Sequence, residues 1–231
     1  MATPVLTVSD LRFRWPGRAG FALSVPAFSV AKGETVLLLG ESGAGKSTLL
    51  SLICGTLSPD QGRIEVAGTN IGALTGGARD RYRAEQIGVI FQQFNLLPFG
   101  NVADNILLPL RFAPDRRARA GDARGAATAL CKALSLPDGV LRAKAGTLSV
   151  GQQQRVAVAR ALIGQPPLII ADEPTSALDA DTQSAFLDLL FQQVAAQEAS
   201  LLMVSHDARL GDRFDRVIRI EEIAQIERSA A

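Results

Sequence analysis

The chain has 231 residues, with 24 Lys plus Arg against 23 Asp plus Glu, a formal charge of +1. That length holds one large domain or two small ones, and the 47% apolar content excludes wholesale disorder. No apolar run approaches the ~20 residues of a membrane-spanning helix, and the near-neutral balance argues against a general nucleic-acid-binding surface, a local basic patch staying open. The start, Met1-Ala2-Thr3-Pro4, has neither the basic head nor the apolar stretch of a secretory signal. Two cysteines, Cys54 and Cys131, allow at most one bridge. Cys54 lies in an apolar helical run and reads as a small core residue, which suits a reducing cytosol.

Taken in chain order, Val5–Phe13 and Phe21–Val30 alternate like antiparallel strands, with Pro16-Gly17 turning between them. Thr35–Leu39 is apolar on both faces, as a buried strand should be. It runs through a glycine-rich turn into Ser47–Cys54, where Leu49, Leu50, Leu52 and Ile53 make a helical stripe that Gly55 ends. From about Asn101 to Lys144 the pattern is helical, interrupted by a polar stretch with Arg111, Asp115, Arg116, Arg117, Arg119, Asp122 and Arg124. That stretch reads as a solvated, mobile surface, with contact to acidic lipid as the competing reading. Ser149 reads as a helix N-cap, followed by an apolar stripe of Val156, Ala159, Leu162 and Ile163. Leu168–Ala171 and Leu201–Val204 are two more buried strands. Strand-length apolar runs alternating with helical patterns predict an α/β protein with a mostly parallel sheet.

Gly40-Glu41-Ser42-Gly43-Ala44-Gly45-Lys46-Ser47 fits G-x-x-x-x-G-K-[ST] between a predicted strand and a predicted helix. The glycines let backbone N–H groups turn inward around phosphate oxygens, and the helix N-terminus adds positive potential there. Lys46 supplies a point charge for the β- and γ-phosphates, Ser47 a hydroxyl for Mg²⁺, and Thr48 closes the predicted nucleotide-binding stretch. Asp172 leaves the C-terminal end of a strand, the edge where open α/β sheets bind ligands, and one carboxylate there can hold Mg²⁺ through water. Glu173 beside it can orient or deprotonate an attacking water. An ordinary turn before Pro174 explains the pair equally well until the phosphate loop is considered. His206, the single histidine, follows Leu201–Val204 at the same predicted rim, within reach of a γ-phosphate. The segment Leu148-Ser149-Val150-Gly151-Gln152 opens a helix and makes a second anion site; its spacing does not say whether it serves the same nucleotide.

In content and order these motifs resemble those of the nucleotide-binding subunit of an ATP-binding-cassette (ABC) transporter, over essentially the whole chain. Gly40–Ser47 resembles the Walker A loop, Gln92 the Q-loop glutamine, and Ser149, Gly151 and Gln152 the LSGGQ signature, with Val150 where glycine is common. Leu168–Glu173 resembles Walker B, Ser176-Ala177-Leu178-Asp179 the D-loop and His206 the switch histidine. Trp15 stands where the family places an aromatic, usually tyrosine, against adenine; an indole face covers a purine well, and a strand-end anchor is the alternative. The resemblance implies ATP and Mg²⁺, with Ser47, Gln92 and Asp172 at the metal and Lys46, Gln92, Glu173 and His206 in catalysis. It implies a single α/β P-loop NTPase domain with a mostly parallel sheet, an N-terminal antiparallel β subdomain and an inserted α-helical subdomain. The ATP-binding core would comprise about residues 1–92 and 164–231, and the helical subdomain about 93–163.

The same resemblance implies a head-to-tail dimer, each ATP lying between Walker A of one copy and the signature of the other. Asp179 would join that nucleotide site. Closure on ATP would drive an integral-membrane permease, with Phe91–Phe99 linking the γ-phosphate to that partner. An exposed apolar patch of this kind normally marks an interface, although the same residues can fill a hinge between subdomains. Gln92–Pro98, Asn101–Ile106 and Glu173–Asp179 resemble the lipoprotein-releasing and macrolide-exporting branch of bacteria. That resemblance implies a cytoplasmic protein, peripheral on the inner face of the bacterial cytoplasmic membrane and touching it through the permease only, with no nucleic-acid partner. Alternatives are a regulatory ABC ATPase acting through a permease on periplasmic cell-wall hydrolases, and a soluble non-transport ABC protein. The latter usually carries two cassettes or long coiled-coil insertions, and neither is present. The end at Ala231, soon after the last predicted strand, is expected to leave no room for a regulatory domain.

Overall fold

A computed structural model describes residues 4–15, 21–176 and 178–228. The expected turn at Pro16-Gly17 and the expected D-loop residue Ala177 lie outside the described residues. In chain order the elements are β1 (Pro4–Arg14), β2 (Phe21–Ala31), β3 (Thr35–Leu39), α1 (Lys46–Ile53), β4 (Gln61–Val66), β5 (Thr69–Asn70), α2 (Gly76–Gln86) and β6 (Ile87–Ile90). Then come α3 (Val102–Leu107), α4 (Pro114–Ala120), α5 (Ala123–Ala133), α6 (Val150–Leu162), β7 (Leu168–Asp172), α7 (Ala180–Ala196), β8 (Ser200–Ser205), β9 (Arg216–Arg219), α8 (Ile220–Ile223) and β10 (Gln225–Arg228). The described residues fall into two compact units, one within Met1–Arg83 and Ser200–Ala231, the other Ala84–Ala199.

The first unit carries an antiparallel sheet in the order β10-β2-β1-β4-β5. The alternation read in the sequence is its packing: Leu6, Val8, Leu11 and Phe13 of β1 and Leu23, Val25, Phe28 and Val30 of β2 are buried, with Val8 opposite Phe28. Burying such a side chain contributes about 1.5–3 kcal/mol, so the alternation sets the register strongly. Beside it, β3 pairs in parallel with β8 on one side and β9 on the other. Val36–Leu39 of β3 and all of β8 are buried, as uninterrupted apolar runs require. Helix α1 buries Leu49, Leu50, Leu52 and Ile53, and Gly55 follows it at φ 66°.

The second unit is built on the parallel pair β6–β7, with Ile87 opposite Leu168 and Ile90 opposite Ala171. Helix α6 lies directly against β6 at Gly88, where a Cβ would stand 2.2 Å from the Ala161 carbonyl oxygen. Helices α3 and α5 pack on α6, and Val156, Ala159, Leu162 and Ile163 are buried, the stripe expected. The units therefore divide at Arg83/Ala84 and Ala199/Ser200, and β6, β7 and α7 group with the helices.

The arginine-rich stretch departs from expectation. It forms α4 and α5, and Arg116 is 1% exposed. Its five guanidinium N–H groups meet five carbonyls: Nε donates to Ile163, one terminal nitrogen to Ala84 and Ile87, the other to Arg160 and Ala161. The buried Glu85 carboxylate accepts the backbone N–H groups of Asp115 and Arg116, capping the start of α4. Burial, then the neighbouring Arg119 charge, lowers the Arg116 pKa to about 10, with Glu85 opposing. The charge run is thus partly a core clamp on the last turns of α2 and α6, where orphan carbonyls favour a cation. No described helix is long and apolar enough to cross a membrane.

Candidate nucleotide site

In the first unit, β3 ends at Leu39 and the loop Gly40–Gly45 leads straight into α1. Gly43 and Gly45 sit at φ 80° and 81°, left-handed conformations that only glycine adopts freely. Gly45 is the N-cap of α1 and provides no side-chain cap, so the positive end of the helix faces the loop without a capping side chain. Lys46 is 5% exposed and folds back over the loop, its Nζ donating to the carbonyls of Gly40 (2.7 Å) and Glu41 (2.8 Å). Glu41, Ser42 and Ser47 are exposed, Ala44 is buried and Thr48 half-buried.

Parallel register brings His206 to this loop. Leu39 is opposite Ser205, so Gly40 and His206 are the next residues out of adjacent strands at one C-terminal edge. His206 is exposed. The turn after it is braced, with Asp207 N–H donating to Ser205 Oγ and Arg209 forming two side-chain bonds to the Asp207 carboxylate. Trp15 is half-buried, with its ring edge-on to Phe13 at 5.4 Å and 82°. Its backbone N–H reaches Phe21, whose ring lies 3.4 Å from where a Cβ on Gly45 would sit. The Trp15 backbone thus pairs with the residue whose ring borders the loop at Gly45.

The other expected residues belong to the second unit. Gln92 follows β6, and Asp172 ends β7, at one edge of the parallel pair. Gln92 Nε2 donates to Ser176 Oγ at 3.3 Å, joining the two loops that leave this edge. Asp172 and Glu173 are half-buried, and Glu173 has φ 43°. Asp179 caps α7: its carboxylate accepts the Thr182 backbone N–H and hydroxyl, which hold its pKa below the usual carboxylate range. Ser149 caps α6 in a reciprocal box with Gln152, Ser149 Oγ accepting the Gln152 N–H and Gln152 Oε1 the Ser149 N–H. At Gly151 a Cβ would meet nothing within 4 Å, so the first turn of α6 has open space before it. Among the described residues no three His, Cys, Asp or Glu side chains converge as a metal site. A magnesium ion takes most of its ligands from phosphate and water, so one hydroxyl and one carboxylate suit it.

Sequence reasoning missed the side chains that hold these loops. Arg160, on α6, donates to the carbonyls of Asn95 (2.7 Å) and Phe94 (2.5 Å), both at positive φ, and burial lowers its pKa. Asn105, fully buried on α3, brackets Leu97 through both its N–H and its carbonyl. Gln154, on α6, donates to the Pro174 carbonyl, and Gln183, on α7, to Thr175 Oγ1. The available signal was a polar residue at an apolar spacing, since Arg160 stands four residues after Val156 on the buried stripe.

Comparison with known proteins places the chain in a family. A family model described as ABC transporter matches residues 23–176. The lipoprotein-releasing system ATP-binding protein LolD of Xanthomonas campestris is 39% identical over 94% of this chain and 87% of its own length. The macrolide export ATP-binding/permease protein MacB of Rhodopirellula baltica is 38% identical over 90% of this chain, which corresponds to 29% of that longer protein. Among solved structures, the ATP-binding cassette MJ0796, a dimer in a post-hydrolysis state bound to ADP and Pi, matches with TM-score 0.77 and 30% identity over 93% of both chains.

Proposed function

Since this chain belongs to the ABC transporter family and hydrolyses ATP, we propose that it is the subunit that powers a membrane permease of the export or lipoprotein-release kind. The observation that carries this reading is the phosphate loop itself: two left-handed glycines, an uncapped α1 and His206 on the neighbouring strand. Lys46 and the loop N–H groups would hold the β- and γ-phosphates, and Trp15 would cover the adenine. Ser47, Gln92 and Asp172 would hold Mg²⁺, which when bound neutralises phosphate charge. Glu173 takes the proton of the attacking water, and His206 hydrogen-bonds the γ-phosphate. Ser149, Gly151 and Gln152 of a second copy complete the site, with Asp179 at the same interface. The dimeric state of the MJ0796 cassette supports this arrangement.

The names of LolD and MacB support the export or lipoprotein-release branch. Docking to a permease is supported by the loop after β6, which exposes Phe91, Leu97 and Phe99, the last 93% exposed. Arg160 and Asn105 brace that loop from within, so its apolar side chains are offered on a fixed backbone. In this reading the chain resides in the cytoplasm, on the inner face of a bacterial cytoplasmic membrane, and contacts that membrane through the permease alone.

The test is Glu173→Gln, which keeps shape and hydrogen bonding but accepts no proton. Hydrolysis is expected to fall by roughly 10²–10⁴ while Mg-ATP binding persists, and light scattering should show an ATP-dependent dimer. Hydrolysis at the wild-type rate would place the base elsewhere.

A further inference from the structure

The loop that carries Glu173 is held in an unusual backbone conformation by contacts from outside it. Glu173, at φ 43°, occupies the left-handed region that a non-glycine residue keeps only where its surroundings over-determine it. The turn continues with the Glu173 carbonyl accepting the Ser176 N–H at 3.2 Å. Three glutamine amides then pin successive residues. Gln154 Nε2 donates to the Pro174 carbonyl at 2.7 Å, Gln183 Nε2 to Thr175 Oγ1 at 3.0 Å, and Gln92 Nε2 to Ser176 Oγ at 3.3 Å. Of the three, Gln154 reaches nearest in sequence to Glu173. Its contact is also the shortest, and it is 1% exposed. Because a carbonyl only accepts, the amide must present its NH₂ there. Proline has no N–H, so the Pro174 carbonyl is the one backbone hydrogen-bonding group of that residue.

Gln154 lies five residues beyond Ser149, within the thirteen-residue helix α6. Helix α6 is continuous over that length. A shift of its N-terminal end therefore reaches the Pro174 peptide through this amide.

We propose that Gln154 is a positioning residue for Glu173: from α6 it fixes the carbonyl of Pro174, the residue that follows the base, so that the helix opened by Ser149 sets where the carboxylate stands. This inference rests on the reading of Glu173 as the base. In consequence, engagement of the α6 N-terminus and alignment of the base within the same chain are one event.

Steady-state hydrolysis by the full chain, compared for wild type, Gln154→Met, Glu173→Gln and the double variant, tests it. Methionine keeps length and burial but donates nothing. Expected is a kcat roughly 10- to 100-fold lower, with KM and binding of a fluorescent ATP analogue within about twofold of wild type. Gln154→Met should add nothing to the loss already caused by Glu173→Gln, because both act through one group. Gln154→Asn keeps the amide but draws it back by one methylene, and is expected to give the same split where the methionine variant fails to fold. A wild-type kcat in either folded variant overturns the proposal. An equal loss in the Glu173→Gln background also overturns it, because the effect then lies elsewhere. If Glu173→Gln hydrolyses ATP at the wild-type rate, the base assignment fails and the proposal with it. A slow Glu173→Gln beside an unimpaired Gln154→Met refutes the positioning role alone.

Discussion

Gly40–Ser47 takes its shape from eight consecutive residues: two left-handed glycines, a helix that starts without a side-chain cap, and a lysine folded onto carbonyls five and six residues back. Glu173–Ser176, in the other unit, takes its shape from glutamine amides 20, 8 and 84 residues away on three other segments. The loop Phe94–Leu97 is of the second kind, with Arg160 reaching it across 65 and 66 residues. In the proposed function the difference lies in what each loop would do. A phosphate cradle presents backbone N–H groups, and side chains inside it would be in the way. A carboxylate that must meet a water needs its own side chain aimed, and aiming requires rigid support from neighbouring elements.

Removing a side chain from each kind of loop probes the contrast. The largest effect is expected for Lys46→Ala. Losing a charged donor weakens ATP binding by roughly 10- to 150-fold, read by equilibrium binding of a fluorescent analogue. The chain should still unfold cooperatively in urea, because the half-buried Gly40 and exposed Glu41 carbonyls it frees can reach water. Collapse of the fold in Lys46→Ala would break the comparison, for then the cradle also depends on its side chain.

Arg160→Met attacks the other kind of loop. It strips the charged donor from two carbonyls at φ 57° and 48°. A stability loss of about 1.5–3 kcal/mol is expected, measured by urea unfolding, together with faster proteolytic cleavage near Phe94–Leu97. ATP binding by the first unit should be spared. Resistance to both would mean that the loop holds itself.

Asp179→Ala should give the smallest change, a slightly lower unfolding temperature at neutral pH through loss of the α7 cap. The sign with pH follows from the depressed pKa of Asp179. A carboxylate more acidic in the folded chain contributes stability above its unfolded pKa and loses it as pH falls through the folded value. The gap between wild type and Asp179→Ala should therefore close under acid; a gap that persists there would show that packing, not the charged cap, is at stake.

The sequence by itself determined what depends on neighbours along the chain. Alternation set the β1–β2 pairing, unbroken apolar runs set β3, β7 and β8, and Ser149 with Gln152 set the start of α6. The phosphate loop was legible because glycine freedom, lysine charge and strand-to-helix context are all local properties. Tertiary structure alone decided the rest. Arginines read as a solvated surface yielded Arg116, whose five donors are satisfied by carbonyls gathered from the ends of two helices and the start of a strand. Gln154 looks like an ordinary polar position of a helix, and Arg160 only like a polar break in an apolar stripe, until the loops they hold are folded against them. A buried polar side chain is stable only beside its partner, and folding brings that partner from 20 to 66 residues away, a separation that local pattern does not encode.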